Sequence, residues 1–344
     1  MKHTCPVLIL PHIHRRRTGV TRSLEQLIPF LKRYMDVYIF GRGIASGLRN
    51  SNLVHVVSTI KRESESGRKI VWHANRNIEA IIALVLRKIF RTIHIVYTRH
   101  SDGMPSTVTC KILNSADVVI SLTESVKKLL PMESVYIPHG VDAEHFSIKA
   151  VDIQANNIDI KQKIKIAVLG RVRFEKGQHT VIEALKEYLR DNSNVALLII
   201  GKVKKDQFTY YTSLYDQVKE AGITSQVYFI DEVNDPRAFY KTLSLVVTSS
   251  YTEGFSMVPL EAMSMSIPVI ATRNVGIHSS LIRHADNGWL YTAGDADELR
   301  SIITGIDFES DFYKALKKIV RDDIIRNWSV EKESSELVSL YDNL

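Results

Sequence analysis

Short apolar, β-branched segments alternate along this chain with segments whose apolar residues recur at helical spacing, and this alternation restricts the fold more than any other feature. In the first part, Val7–Leu10, Val37–Phe40, Val54–Val57, Ile70–Trp72, Ile93–Tyr97, Val118–Leu122 and Val135–Ile137 predict strands. Thr21–Tyr34, Ile78–Phe90 and Glu124–Leu130 predict helices between them. Strand–helix alternation implies a mostly parallel sheet covered on both faces. The pattern pauses over 141–162, a polar stretch without an apolar period, which reads as a linker. It then resumes with predicted strands Ile164–Leu169, Ala196–Ile200, Val227–Ile230, Leu245–Thr248 and Val269–Ala271. The helices predicted there are Thr180–Arg190, Tyr211–Ala221, Arg237–Leu243 and Pro259–Ser264. The expectation is α/β, with two Rossmann-like doubly wound domains at 1–150 and 151–326. Trp328, Val330, Leu337, Val338, Leu340 and Tyr341 fall at largely helical spacing and predict a final helix over 327–344.

A length of 344 residues with 45% hydrophobic content suits two globular domains. Cys5 and Cys110 form no CxxC pair and no cluster with histidine, which argues against zinc and against a disulfide framework. The apolar run Val7–Leu10 before Pro11 is too short for a secretory signal. The longest apolar run, Ala80 to Leu86, is seven residues against the roughly 20 a spanning helix needs. A cytoplasmic protein is the expectation. Residues 1–150 hold 22 Lys/Arg and 11 Asp/Glu, net +11, of the chain's 45 and 38, leaving 23 and 27, net −4, for the rest. Such asymmetry suits an anionic partner of the first half, and it also suits a solvated basic face. RNP-like, zinc-finger and arginine-rich signals are absent, so no nucleic acid is expected.

Two segments carry chemistry. GRVRFEKG at 170–177 follows a predicted strand and precedes a predicted helix, where open α/β sheets bind ligands. Arg171 offers a planar fork, Lys176 a point charge and the helix start free amides, which together suit phosphate. The segment is neither GxGxxG nor GxxxxGK[ST], which removes the main support for a dehydrogenase or a P-loop enzyme. EGFSMVPLE at 253–261 places Glu253 and Glu261 eight residues apart. Gly254 permits close backbone approach, Phe255, Ser256 and Met257 present amides near the helix start, and a carboxylate accepts from several sugar hydroxyls. Two glutamates at a helix start also suit its dipole without any ligand. Asp295-Ala-Asp297 matches a metal-binding DxD, but Asp295 before a helical run with Glu298 three residues on reads as an N-cap, so no metal is assigned.

Taken together these segments resemble the retaining family-4 glycosyltransferases of GT-B architecture, glycosyl transferases group 1, over nearly the whole chain. The combination includes AMSMSIPVIA at 262–271. The resemblance implies two Rossmann-like domains facing across a cleft, with the final helix over 327–344 returning to the first of them. It implies that Arg171 and Lys176 grip the donor diphosphate, Glu253 touches the donor sugar and Glu261 takes the ribose hydroxyls. IVWHANRNIE at 70–79 and IPHGVD at 137–142 look like segments of bacterial lipopolysaccharide-core mannosyltransferases. The family pattern places His73 toward the transferred sugar and Gly19, opening GVTR at 19–22, beside the donor phosphates. Arg99 and His100, after a predicted strand, and the run Arg15, Arg16, Arg17 are further candidates for ligand contact. This chain departs from the family pattern at Ser256 and Ser266, where glycine is usual, and at Asp231.

The implied activity is metal-independent hexose transfer with retention. The donor is a nucleotide-diphosphate sugar, with GDP-mannose favoured and a UDP-sugar as the other candidate. The acceptor is an anionic glycolipid or lipopolysaccharide core at the inner face of a bacterial inner membrane, with peripheral membrane contact. No further cofactor is implied. Two rivals stand beside this reading. A sugar-nucleotide epimerase or other GT-B enzyme would release nucleotide without glycosylating an acceptor. A non-catalytic anionic-surface-binding protein would have no use for the four charged positions 171, 176, 253 and 261.

Overall fold

The computed structural model describes residues 5–13, 18–41, 50–150, 160–233 and 235–344. The chain divides into two compact units, residues 1–142 with 328–344, and residues 143–327. Residues 143–150, which the composition groups with the first half, therefore pack with the second unit, burying Ala143, Phe146 and Ser147.

In the first unit, strands β1 (Val7–His12), β2 (Val37–Gly41), β3 (Asn50–Ser51), β4 (Ile70–Ala74), β5 (Ile93–Arg99), β6 (Val118–Ser121) and β7 (Val135–Tyr136) form one sheet. Their order is β3-β2-β1-β4-β5-β6-β7 and every pairing is parallel. Sequence order reverses between β1 and β4, and Pro11 shapes that point. The Leu8 amide bonds Asp36 on the β2 side and the Val7 amide bonds Lys69 on the β4 side, so odd positions of β1 face β4. Pro11 is the odd position that has no N–H to give. The β1–β4 register runs from Val7 to Ile9, while β1 stays paired with β2 as far as His12.

The β-branched run Val54–Val57, predicted as a strand, is instead part of the helix Leu53–Glu65. Asn52 caps it by accepting from the His55 amide at 2.8 Å, and Val56, Thr59, Ile60 and Glu63 form its buried face. That i, i+3, i+4, i+7 spacing is helical; the valines mislead because β-branching favours strands only where a pleated surface is there to pack on.

The second unit contains β8 (Ile164–Leu169), β9 (Val195–Ile200), β10 (Val227–Ile230), β11 (Leu245–Thr248), β12 (Val269–Thr272) and β13 (Trp289–Tyr291). They pair in parallel in the order β10-β9-β8-β11-β12-β13, the doubly wound arrangement. Helices Gln178–Asp191 and Phe208–Glu220 help to cover it, and the core between them includes Val181, Leu185, Leu197, Leu214 and Val218. Predicted and observed fold class agree.

The final helix, Val330–Asp342, belongs to the first unit and buries Val330, Leu337 and Tyr341 in a core shared with Leu24, Leu27 and Ile28. Its entry is tied down. Val141 donates to Trp328 O and accepts from Val330 N, and Glu333 takes His139 Nδ1 and the Gly140 amide, each at 2.8 Å. A Cβ at residue 140 would sit 2.2 Å from Ser329 O, so only glycine lets the two segments approach this closely.

Candidate active site

In the second unit the strand order reverses between β8 and β11, and open α/β sheets bind ligands outside the carboxyl ends of strands at such a point. Both chemistry-bearing segments emerge there. Gly177 stands at φ 65°, and a Cβ on it would lie 2.1 Å from Ser249 O, so the loop after β8 can press against the loop after β11. Ser249 Oγ donates to Lys176 O at 2.7 Å, and the Tyr251 amide donates to Glu175 O at 2.8 Å. These bonds hold Lys176 in place, and its ammonium forms an ion pair with Glu253 Oε1, which also accepts from Ser250 Oγ at 2.7 Å. Burial would raise the Glu253 carboxyl, but the Lys176 charge and the hydrogen bonds from Lys176 and Ser250 outweigh it and hold the group below its ordinary range. His278 is fully buried nearby, and desolvation pushes it down to about 4. A small cavity is lined by Lys176, Ser250, Glu253 and Ser256.

The other sequence candidates divide. Arg171 is exposed on the same loop, its carbonyl accepting from Gln178 Nε2. Phe255 is buried and its carbonyl accepts from the Ile277 amide, whereas Met257 is half-buried just before the helix Val258–Ser264. Glu261 lies in that helix, buried, with Tyr240 Oη donating to Oε2 at 3.0 Å. Ser256 stands at φ 84° and Ser266 at φ 61°. Both departures from the family's glycines thus fall on left-handed backbone, where a side chain costs roughly 1 kcal/mol.

Asp295 caps the helix Ala296–Thr304 by accepting from the Glu298 amide at 2.9 Å. The Glu298 carboxylate does not return to the cap. It takes the Thr292 amide at 2.7 Å and Arg273, so only half of a capping box forms. Asp297 pairs with Arg300.

In the first unit, Gly19 is exposed at the start of the helix Gly19–Leu31. His73 is 3% exposed, and both ring nitrogens are engaged at 2.6 Å, Nδ1 with Tyr341 Oη and Nε2 with Thr98 Oγ1. Burial pushes it down to about 3. Such a histidine joins β4 to the final helix, and neither nitrogen is open to a sugar in this arrangement. The histidine that opens onto a sizeable cavity is His100, just past β5, whose Nε2 lies 2.8 Å from Asn75 Oδ1. Desolvation, with His139, His73 and Arg76 adding to it, holds His100 well below its ordinary pKa. The sequence singles out Arg99 and His100 by their place after a strand. It does not single out Asn75, Arg76, Glu333 or Tyr341, whose neighbours are remote along the chain. Arg15, Arg16 and Arg17 lie outside the described residues. No group of three or more His, Cys, Asp or Glu that could hold a metal occurs among the described residues.

Comparison with known proteins places the chain in a family. The chain is 26% identical to the lipopolysaccharide core biosynthesis mannosyltransferase LpcC of Rhizobium leguminosarum bv. viciae, over 98% of this chain and 96% of the relative. It is equally similar to LpsB of Rhizobium meliloti (strain 1021), of the same description, at 26% over 98% and 97%. Its fold matches the crystal structure of Anabaena HepE in complex with UDP, with a TM-score of 0.80 at 18% identity, over 98% of this chain and 100% of that one. The family model described as glycosyl transferases group 1 matches residues 148–322, just over half of the chain and nearly all of the second unit. The chain therefore belongs to glycosyl transferases group 1, with the GT-B fold, and is a glycosyltransferase.

Proposed function

We propose that this enzyme transfers a hexose, with mannose favoured, from a nucleotide-diphosphate sugar to a lipopolysaccharide-core glycolipid with retention of configuration. The observation that carries the reading is the Lys176–Glu253 pair, locked by Ser249 and Ser250 at the order reversal of the second sheet. A diphosphate arriving there gains the Lys176 ammonium and Arg171, while Glu253, kept ionised, accepts hydroxyls of the donor sugar. As the diphosphate leaves, its growing charge meets the Lys176 ammonium already oriented, with Arg171 free to close on it, which is electrostatic preorganisation without a required metal. Glu261, held by Tyr240, takes the ribose. The descriptions of the two mannosyltransferase relatives support mannose as the sugar, GDP-mannose is the donor that the family resemblance favours, and the UDP in the HepE structure keeps a UDP-sugar as the alternative.

The acceptor side suits a membrane-borne lipid. Helix Asn77–Ile89 exposes Ile78, Ile81, Val85 and Ile89, a stripe at helical spacing, with Lys88 and Arg91 exposed beside it. Arg87 is committed elsewhere, to Asp117 at 2.9 Å. No helix among the described residues is long and apolar enough to cross a membrane; the exposed stripe and the cations beside it are what support surface contact.

A thermal-shift series with GDP, UDP, ADP and CMP tests the donor reading, since a ligand of the native state raises the midpoint. One nucleoside diphosphate should stand out, and Lys176→Ala should weaken it far more than it weakens the nucleoside. Equal losses for both would remove Lys176 from the phosphate. Release of nucleotide without a glycosylated acceptor would indicate an epimerase instead.

A further inference from the structure

The donor chemistry makes no use of His278, the buried histidine beside the Lys176–Glu253 pair. The loop leading to it leaves β12, the neighbour of β11 in the sheet, and so runs against the loop that carries Glu253. Their backbones touch. The Ile277 amide donates to Phe255 O at 2.9 Å. A Cβ on Gly276, which stands at φ 52°, would come within 2.4 Å of that oxygen and 3.0 Å of the Glu253 Cβ. Glycine at 276 therefore lets the loop after β12 buttress the loop after β11.

A chain of hydrogen bonds runs through this contact to the carboxylate. His278 Nδ1 lies 3.0 Å from Thr272 O and 3.3 Å from Thr272 Oγ1. A carbonyl oxygen only accepts, so Nδ1 carries the proton. The Thr272 hydroxyl donates to Ser250 O at 2.7 Å, and the Ser250 hydroxyl donates to Glu253 Oε1, also at 2.7 Å. The links behind Glu253 are closed to solvent, with Ser250 2% exposed and Thr272 and His278 0%. Water does not freely replace a lost one. His278 Nε2 is buried without a hydrogen-bond partner among the described residues. An apolar side chain would fill the space without burying that nitrogen, so what the imidazole adds here is the Nδ1–H. Desolvation pushes the ring down to about 4 and keeps it neutral, so it adds no cation that would compete with Lys176 for Glu253.

We infer that Thr272 and His278 are positioning residues for Glu253, fixing its carboxylate through Ser250 at the point where Lys176 and the donor sugar meet it. The inference rests on the reading of Glu253 as the group that accepts hydroxyls of the donor sugar. A carboxylate displaced by about 1 Å loses roughly a hundredfold in rate, so a brace with no contact to substrate still bears on turnover.

Two measurements on the full-length protein test it, and the first needs no substrate. Urea denaturation of Lys176→Met, Glu253→Gln and the double variant gives the coupling between the two side chains, and the cycle is repeated in a Thr272→Val background. Valine keeps the shape of threonine and lacks its hydroxyl. The coupling should fall by at least half and return with Thr272→Ser, a recovery that packing alone does not produce. The second follows nucleotide release from GDP-mannose and from UDP-glucose. Thr272→Val should lower kcat by about tenfold or more with KM within about twofold, as Glu253→Gln should, and Thr272→Ser should recover most of it. His278→Asn, whose amide reaches the position of Nδ1, should stay more active than His278→Leu, and the threonine variants keep the test open if the leucine variant fails to fold. Coupling unchanged by Thr272→Val, coupling lost as fully in Thr272→Ser, or wild-type turnover in Thr272→Val would each overturn the inference. Unchanged turnover in Glu253→Gln, with the coupling still halved by Thr272→Val, would instead show the donor reading of Glu253 to be wrong, and the inference would fall with it.

Discussion

Replacing Lys176 by methionine separates the electrostatics of the candidate site from its packing. The side chain keeps most of its length, and the ammonium paired with Glu253 is removed. Side-chain exposures of 15% for Lys176 and 12% for Glu253 put the pair close to the buried limit, where leaving one partner uncompensated costs about 3–5 kcal/mol. Ser250 still donates to Glu253, so the lower end, about 3 kcal/mol at pH 7, is expected. For a unit of this size that corresponds to a fall in melting temperature of about 6–12 °C. The pH dependence identifies the cause. In the wild type the Glu253 carboxyl is held below its ordinary range, so its contribution is present above the ordinary carboxylate pKa and is lost as pH falls through the depressed folded value. In Lys176→Met, burial is no longer outweighed and the folded pKa rises above the ordinary value. The carboxylate then destabilises at neutral pH, and the penalty fades as pH falls through the raised value. Urea denaturation of both proteins between pH 4 and 8 should therefore show a stability gap that narrows toward pH 4. Glu253→Gln in the Lys176→Met background should recover part of the loss. A gap of constant size across that range would refute the electrostatic account and leave only lost packing.

Three further outcomes follow from particular residues. Ser266→Gly should raise stability by about 0.5–1 kcal/mol in urea melts, because left-handed backbone at φ 61° strains serine more than the extra chain entropy of glycine costs; a neutral or destabilised variant would contradict this. Asp295→Ala should cost about 1 kcal/mol by loss of the cap, with transferase activity retained in EDTA; loss of activity on chelation, restored by manganese or magnesium, would make the DxD a metal site after all. Cosedimentation with liposomes should increase with anionic lipid and decrease with added salt, and Val85→Glu on the exposed stripe should weaken it; equal binding to neutral and anionic vesicles would rule out the surface contact.

The doubly wound class was legible because parallel strands buried on both faces read as near-continuous apolar runs, and β1, β4 and β9 are buried at every position, with His12 and His73 as the polar exceptions near strand ends. The position of the two charged loops was legible too, since a strand followed by GRVRFEKG or by EGFSMVPLE can only end at the sheet's carboxyl edge. The usual glycines at 256 and 266 mark left-handed backbone that the serines also adopt. Local composition failed at Val54–Val57, where Asn52 capping and a helical burial face outweighed β-branching. It failed also at β13 and at the split of residues 143–150, which depend on what each short segment packs against. Tertiary structure alone decided the histidines. His73 and His100 both stand at strand ends, yet Tyr341, 268 residues further along the chain, closes one, while the neighbours of the other leave it beside a cavity. A motif records which groups a segment brings. Whether a group's hydrogen-bonding capacity is spent inside the protein or kept for a ligand depends on partners distant in sequence, and those are set only when the sheet and the returning helix come together.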